Sequence, residues 1–293
     1  MKASAFSYAR ATSVSNALEL LVAYGDRAKV LSGGQSLMPA MNLRLISPEF
    51  IVDIGELTEL RGIGVANHIL KIGALTRHVD LQRSAEVATH APLLTEAVAE
   101  VAHPAIRNRG TIGGSLAHAD PASELPACMV ALKATIIVSG PKGERRIAAS
   151  DFFKGIYETA LSPQELLVAI ELPIAGKNSA HFFQEFARRQ GDYAITGLAA
   201  QAVIDAGKFA DLRLAFFAIA DRPVLAGAAK ALVGVSVTPA VLSSALAALT
   251  DELDPHEDQQ ASAPMRRHLA RLLMTRCVAA LLGRPDLDRG GHA

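Results

Sequence analysis

The sequence contains no tryptophan and only two cysteines, Cys128 and Cys277, which lie far apart along the chain. An iron–sulfur cluster takes about four thiolate ligands. Structural zinc is usually held by about four Cys or His residues at close spacing. We therefore expect neither group in this chain and interpret both cysteines as small buried hydrophobic residues. Sparse cysteine use is also typical of a reducing compartment, so the sequence predicts a cytoplasmic protein.

Net charge and long apolar runs are absent as well. Lys and Arg together number 29, and so do Asp and Glu, so the formal net charge is zero. This balance argues against broad electrostatic binding to nucleic acid or to an anionic membrane. The longest apolar stretch of note, residues 214–220, is too short to cross a bilayer, and the N-terminal residues lack the apolar run of a secretory signal. We expect no nucleic-acid partner and no transmembrane segment.

Half of the 293 residues are hydrophobic, which suffices for a large core and for two or three subdomains. Residues 1–56 are predicted to form a first α/β subdomain. Its predicted elements are helices at 13–24 and 37–43 and strands at 28–31 and 50–54. Residues 57–175 are predicted to form a second subdomain that begins with a hairpin turning at Asn67-His68. It continues with helices at 77–87 and 92–101 and strands at 134–139, 145–147 and 165–172.

The composition changes near residue 175, and residues 176–285 are predicted to form a third domain. Strand patterns at 181–187, 197–204 and 212–220 favour an antiparallel sheet. Helix patterns follow at 223–232, 239–249 and 264–282, each beginning beside a proline. The basic residues of the last helix, Arg266 among them, are most simply explained as a solvated face, with a partner-docking surface as the alternative. Residues 286–293 are predicted to be a frayed tail.

Two polar segments each contain a Gly-Gly pair followed by a serine, namely Ser32-Gly-Gly-Gln-Ser-Leu-Met-Pro and Asn108-Arg-Gly-Thr-Ile-Gly-Gly-Ser-Leu-Ala-His-Ala-Asp-Pro. Glycine admits positive φ and lets a ligand approach without a Cβ in the way. Successive N–H groups in such a bend bind anions, and a following helix N-terminus adds partial positive charge. The two segments together are predicted to hold a diphosphate from both sides. Residues 103–124 are predicted to be a long functional loop, and Asp120 is predicted to cap a helix at 121–132.

Common nucleotide-binding motifs are missing from both segments. Neither pair is followed by the Gly-Lys-Ser/Thr of a Walker loop, and neither segment contains G-x-G-x-x-G, which disfavours the common dinucleotide-binding fold. The simpler alternative is that both pairs are only tight turns. Two matching polar bends beside apolar strands favour an anion site over that alternative.

Both segments resemble the FAD motifs of the medium subunit of molybdenum hydroxylases, a family that includes the flavoprotein subunits of carbon monoxide, xanthine, nicotine and quinoline dehydrogenases. The resemblance extends over nearly the whole chain. It implies an α+β fold, the FAD-binding fold of the vanillyl-alcohol oxidase type with two α+β subdomains, plus a C-terminal antiparallel sheet with helices. The carbon monoxide enzymes often have His where this chain has Gln35, which argues against carbon monoxide as the substrate.

The resemblance also implies a set of cofactor-binding residues and no catalytic or metal-ligating residue. Diphosphate contacts are expected from Ser32, Gly33, Gly34, Gln35, Ser36 and Leu37 in the first segment, and from Thr111, Ile112, Gly113, Gly114 and Ser115 in the second. Asp120 and Glu124 match positions that contact the ribityl chain, and Leu167 and Tyr193 match positions near the isoalloxazine ring. Ordinary roles stay open, with Asp120 as a helix cap, Glu124 as a solvated carboxylate and Tyr193 as a sheet aromatic.

The function that the resemblance implies is electron transfer within a heteromeric complex. A large molybdopterin-binding subunit oxidises the substrate, a small subunit with 2Fe-2S clusters carries the electrons, and FAD in this chain passes them to a quinone, NAD or oxygen. A dimer of heterotrimers is expected. Two alternatives are a self-sufficient FAD-dependent oxidase or reductase, which would need a polar substrate domain, and a non-enzymatic nucleotide-binding scaffold. The apolar, helical C-terminal third disfavours the self-sufficient enzyme.

Overall fold

The computed structural model describes residues 2–288 of the chain. These residues form sheets of three, five and four strands, helices, and a small two-stranded hairpin. The mixed helix-and-sheet class predicted from the sequence is confirmed. Of the predicted tail at 286–293, residues 289–293 lie outside the described residues. Within the described range, no helix is both long and apolar enough to span a lipid bilayer.

The first sheet is small and parallel. In chain order, the elements of this unit are β1 (Ser7–Arg10), α1 (Val14–Tyr24), β2 (Ala28–Leu31), α2 (Leu37–Asn42) and β3 (Phe50–Asp53). Strand β3 lies between β1 and β2. Helix α1 begins where the Ser13 hydroxyl accepts the N–H of Asn16, and it ends at Gly25, whose φ is 51°. The helices and strands predicted for this unit are confirmed. Strand β1 was not predicted, because its short, mostly exposed sequence lacks alternating apolar residues.

The second unit is built on a five-stranded antiparallel sheet. The strands of this region are β4 (Ile63–Ala66), β5 (Ile69–Gly73), β6 (Thr135–Gly140), β7 (Gly143–Ala148), β8 (Phe153–Gly155), β9 (Glu158–Thr159) and β10 (Leu166–Pro173). The sheet order is β4–β5–β10–β6–β7, and β8 and β9 pair separately. The predicted β4–β5 hairpin is confirmed. It turns at Asn67 and His68, whose positive φ values of 50° and 61° suit a two-residue hairpin loop.

Seven α-helices and a 3₁₀ helix at Thr58–Leu60 lie in the described part of this unit, and two sequence predictions for the α-helices are wrong. The helices are α3 (His78–Arg83), α4 (Ala85–His90), α5 (Pro92–Glu100), α6 (Pro104–Arg107), α7 (Ile112–His118), α8 (Glu124–Ala131) and α9 (Ala149–Phe152). Residues 103–124 are not one long loop, because they contain α6 and α7. Asp120 does not cap a helix at 121–132, because α8 begins at Glu124 with Ser123 at its N-cap.

The C-terminal unit is an antiparallel sheet with helices, as predicted. Its elements are β11 (Ser179–Ala187), β12 (Ala194–Asp205), β13 (Lys208–Phe217), β14 (Val224–Leu225), α10 (Pro239–Glu252) and α11 (Ala263–Leu282). The helix predicted at 223–232 is wrong, because β14 and a 3₁₀ helix at Gly227–Leu232 occupy that stretch. The solvated face predicted for the basic residues of α11 is wrong for Arg266, whose side chain is 2% exposed.

The C-terminal sheet contributes to two hydrophobic cores. Alternate residues of β12 and β13 face opposite sides, so Ala199 and Phe217 pack with α5 and α8 while Leu198 and Phe216 pack with α10 and α11. The sheet is therefore covered on one face by helices of the second unit and on the other by helices of its own.

Gly197 is required by the packing of this sheet. It lies opposite Phe217 in the β12–β13 pairing, and a Cβ at position 197 would overlap the Phe217 ring, which also stacks on Phe183 at 5.8 Å between centroids. We predict that Gly197→Ala lowers the free energy of unfolding by about 1–3 kcal/mol, the usual cost of overpacking. Urea or thermal unfolding measures the change.

Gly64→Ala is the matched control, because a Cβ at this position of β4 would meet no atom within 4 Å. It should leave the unfolding midpoint nearly unchanged. Equal midpoints for the two variants would contradict the packing argument.

Candidate functional site

The two glycine segments meet, although they lie 79 residues apart in sequence. The Ser32 and Thr111 hydroxyl oxygens are 2.7 Å apart and share a hydrogen bond. Gly33 lies against the backbone of Arg109 and Gly110, where a Cβ would overlap the Arg109 carbonyl and approach the Gly110 Cα to 2.9 Å. Any side chain at position 33 would push the segments apart, so glycine is needed here for close approach.

The first segment is an amide-lined bend at the carboxyl end of β2. Gly34 has a φ of 73°. The side-chain amide of Gln35 donates a hydrogen bond to the Gly33 carbonyl at 3.0 Å. Hydrogen bonds resume at Met38, whose N–H donates to the Gly34 carbonyl. Within the described part of the chain, the backbone N–H groups at positions 33–36 have no acceptor. A row of such N–H groups in a bend is suited to an anion.

The second segment is built differently from the prediction. Its Gly-Gly pair lies in the first turn of α7 and not in a positive-φ bend. Thr111 caps the helix by accepting the Gly114 N–H at 3.1 Å. The Gly113 N–H donates to the Ala74 carbonyl at 2.9 Å, and a Cβ on Gly113 would lie 2.6 Å from the Ala74 Cβ. Close packing against Ala74 therefore explains Gly113.

The backbone amides of this second segment are already engaged. Besides those of Gly113 and Gly114, the Ile112 N–H donates to the Thr76 carbonyl and the Ser115 N–H to the Thr111 carbonyl. What the segment can offer a ligand is the side-chain-free surface at Gly114 and the hydroxyls of Thr111 and Ser115.

Asp120 and three aromatic side chains lie at the opposite end of α7. The carboxylate of Asp120 accepts the Ala122 N–H at 2.9 Å. The His118 ring stacks on Tyr157, with 4.8 Å between centroids. Burial raises the pKa values of Tyr157 and Tyr193, and the charge of Asp120 raises both further. Both tyrosines are 59% exposed, which leaves their rings available to a ligand.

Leu167 and Arg107 lie outside this polar surface. Leu167 is 4% exposed in the core of the central sheet, one residue before Val168, whose carbonyl accepts the Ala74 N–H. One guanidinium nitrogen of Arg107 donates to the carbonyls of Ala99, Val101 and Ala102 at the end of α5. Arg107 is thus engaged by the fold.

A carboxylate cluster adjoins the site, and sequence analysis found only part of it. Glu124 is 9% exposed, and burial raises its pKa to about 7. Burial, with the nearby charges of Glu124 and Glu100, raises the pKa of Glu185 to about 8. One Glu185 carboxylate oxygen is buried without a hydrogen-bond partner among the described residues. The sequence gives no sign of Glu185, because it lies in an evenly half-buried strand far from Glu124 along the chain.

Tyr157 is the other residue that sequence analysis missed. It lies between β8 and β9 with a φ of 56°, and its N–H donates to the Ala119 carbonyl. The sequence signal for it is weak, because it consists of Gly155, two residues earlier, which is typical of a turn.

Comparison with known proteins identifies the family of both parts of the chain. Residues 4–175 match the FAD binding domain in molybdopterin dehydrogenase, and residues 181–281 match the CO dehydrogenase flavoprotein C-terminal domain. The chain is 38% identical to the 6-hydroxypseudooxynicotine dehydrogenase complex subunit alpha of Paenarthrobacter nicotinovorans, and the alignment covers 100% of both proteins.

Two solved structures have the same fold. Carbon monoxide dehydrogenase from Hydrogenophaga pseudoflava aligns with a TM-score of 0.94 at 35% identity, covering 97% of this chain and 99% of that chain. Quinoline 2-oxidoreductase from Pseudomonas putida 86 aligns with a TM-score of 0.90 at 36% identity, with the same coverage.

The carboxylate cluster makes stability depend on pH. Glu185 has a pKa of about 8 in the folded chain and an ordinary value of 4.5 when unfolded, so the unfolded chain loses this proton first as pH rises. Stability therefore falls between these two values. We predict that Glu185→Gln melts several degrees above the unsubstituted chain at about pH 9 and close to it at about pH 5. Thermal unfolding followed across this range tests the sign.

Glu144→Gln is the control, because Glu144 is exposed on β7. It should leave the pH profile unchanged. A Glu185→Gln variant that melts below the unsubstituted chain at high pH would show that the carboxylate is stabilising and contradict the prediction.

Proposed function

Because the chain belongs to the FAD-binding family of molybdopterin dehydrogenases, we propose that it is the medium, flavoprotein subunit of a heteromeric molybdenum hydroxylase. In this proposal, a large molybdopterin-binding subunit oxidises the substrate and a small subunit with 2Fe-2S clusters carries the electrons. FAD supplies the step from these carriers to an external acceptor, while the protein orients and tunes it. We further propose a dimer of heterotrimers in the cytoplasm.

The contact between the two glycine segments is the observation that carries the proposal. It brings the unpaired amides at positions 33–36 beside the side-chain-free surface of Gly114, a combination suited to a diphosphate. His118, at the far end of α7, lies six residues from Ile112, about 9 Å along a helix. Asp120 and the exposed tyrosines Tyr157 and Tyr193 at that end are suited to the ribityl chain and the ring.

We propose that the residues expected from the family resemblance hold the flavin in these two places. The diphosphate set is Ser32, Gly33, Gly34, Gln35, Ser36, Leu37, Thr111, Ile112, Gly113, Gly114 and Ser115. The set toward the ribityl chain and ring is Asp120, Glu124, Leu167 and Tyr193, of which Leu167 is buried in the central sheet and would support the ring end from the core. Ile112 differs from the other members of the diphosphate set because its side chain is buried. It would hold α7 in place from the core and would not contact the diphosphate through its side chain.

The chain's own composition supports a carrier role. Its two cysteines are both free and buried, too few for a 2Fe-2S cluster. The related proteins act on compounds as different as quinoline and carbon monoxide, by their names. Similar medium subunits thus occur in complexes that act on different substrates. We therefore expect the partner subunits to determine substrate specificity. The self-sufficient oxidase is therefore not favoured.

Reconstitution of the purified chain with FAD tests the function. We expect one bound flavin for each chain, reduction by dithionite, and no turnover of an N-heterocycle or aldehyde panel without partner subunits. Absence of flavin absorption after reconstitution would favour the scaffold alternative. Substrate turnover by the chain alone would favour the self-sufficient oxidase.

Gly114→Val tests the diphosphate site. A Cβ at position 114 would lie 2.8 Å from the Thr111 hydroxyl oxygen and 3.7 Å from that of Ser32, so the β-branched side chain would displace the Thr111 hydroxyl as well as block the approach of the diphosphate. We predict that FAD binding weakens at least about tenfold while the fold is largely retained. Flavin content and circular dichroism measure the two effects. Gly64→Val in β4, which has open space around it, is the control and should bind FAD normally. Normal flavin content in Gly114→Val would count against this site.

A further inference from the structure

Arg266 is a buried arginine in the first turn of α11, far in sequence from the glycine segments. Its side chain is only 2% exposed, and its charge is partnered by Asp258 at 2.7 Å from the second guanidinium nitrogen. Burying a guanidinium is unfavourable unless its donors are engaged. The two terminal nitrogens of Arg266 are engaged, while Nε has no hydrogen-bond partner among the described residues. What those donors bind therefore indicates what the residue is for.

The first guanidinium nitrogen donates to two backbone carbonyls. One is the Ala218 carbonyl, at 2.6 Å, and the other is the Ile195 carbonyl. These carbonyls belong to different segments, since Ile195 is at the start of β12 and Ala218 directly follows β13. A planar guanidinium fixes the distance between two acceptors because its donors have a rigid geometry.

Each of these carbonyls leads directly to a proposed flavin contact. Ile195 is two residues after Tyr193 in the same segment. Ala218, with a φ of 56°, turns its own N–H toward the Pro121 carbonyl at 2.8 Å, and Pro121 is bonded to Asp120. Arg266 is thus linked on one side to the Tyr193 segment and on the other to the Asp120 turn.

We propose that Arg266 is a positioning residue. From the C-terminal core, it sets the distance between Tyr193 and Asp120, and so it shapes the end of the flavin site that takes the ribityl chain and the ring. The C-terminal domain would thereby act on cofactor geometry as well as on stability. This inference rests on the proposed function, because it concerns how the same flavin is held. Arg266 itself touches no part of the proposed contact surface.

The test uses the full chain reconstituted with FAD and three variants. Arg266→Met keeps an apolar stem and removes the donors, so FAD affinity should fall about tenfold, as expected for losing charged hydrogen bonds. Flavin fluorescence should rise as Tyr193 moves from the ring. Arg266→Lys should restore part of the affinity. Asp258→Asn is the variant to use if Arg266→Met does not fold. It removes the Oδ2 acceptor of Arg266, which His256 also approaches at 3.8 Å, while Asp258 Oδ1 accepts the N–H groups of Gln260 and Ala261 and can be kept as the amide oxygen.

Two controls separate positioning from stability. Leu249→Ala removes buried volume from the same C-terminal core and should lower the melting temperature without changing flavin fluorescence. Arg267→Met removes the neighbouring, partly exposed arginine, and it should change neither FAD affinity nor flavin fluorescence. Loss of affinity in Leu249→Ala equal to that in Arg266→Met, or unchanged fluorescence in the folded Arg266 and Asp258 variants, overturns the inference. Failure of the unsubstituted chain to bind FAD would instead overturn the proposed function.

Discussion

The close approach of Gly33 to the Arg109 carbonyl is the constraint on which the rest of the site depends. Two subdomains with separate sheets must dock so that a backbone segment of one lies against a backbone segment of the other, which leaves no room for a side chain. The Thr111 hydroxyl joins this contact to local structure, because it accepts the Gly114 N–H of α7 and also bonds Ser32. The shape of the site is therefore set by packing before any ligand binds.

The two Gly-Gly pairs look alike in sequence but have different physical roles. Gly34 supplies a positive φ in an open bend, and the amides around it have no acceptor among the described residues. Gly113 lies in a helix and supplies close packing against Ala74. Glycine is unfavourable inside helices, so the sequence predicted a loop where tertiary hydrogen bonds to Ala74 and Thr76 stabilise α7 instead.

The elements that were predicted correctly from the sequence are those determined by local interactions. The Asn67-His68 hairpin and the apolar strands depend on neighbouring residues, and each was predicted. The buried position of Arg266 and the unpaired oxygen of Glu185 depend on residues far along the chain, so periodicity could not reveal them. The sequence predicted that positions 32–37 and 111–120 form a polar surface. It did not predict that the first segment offers free backbone amides and the second mainly hydroxyl groups.

Sharing one sheet between two hydrophobic cores has a consequence for how this polypeptide can be divided. Phe217 and Ala199 of the C-terminal sheet complete the interior of the middle unit, although the matched family regions end and restart between residues 175 and 181. Cleavage at that junction would leave one fragment with an incomplete hydrophobic core and the other with an exposed apolar sheet face. The junction separates the two matched family regions, whereas the hydrophobic core of the described residues continues across it.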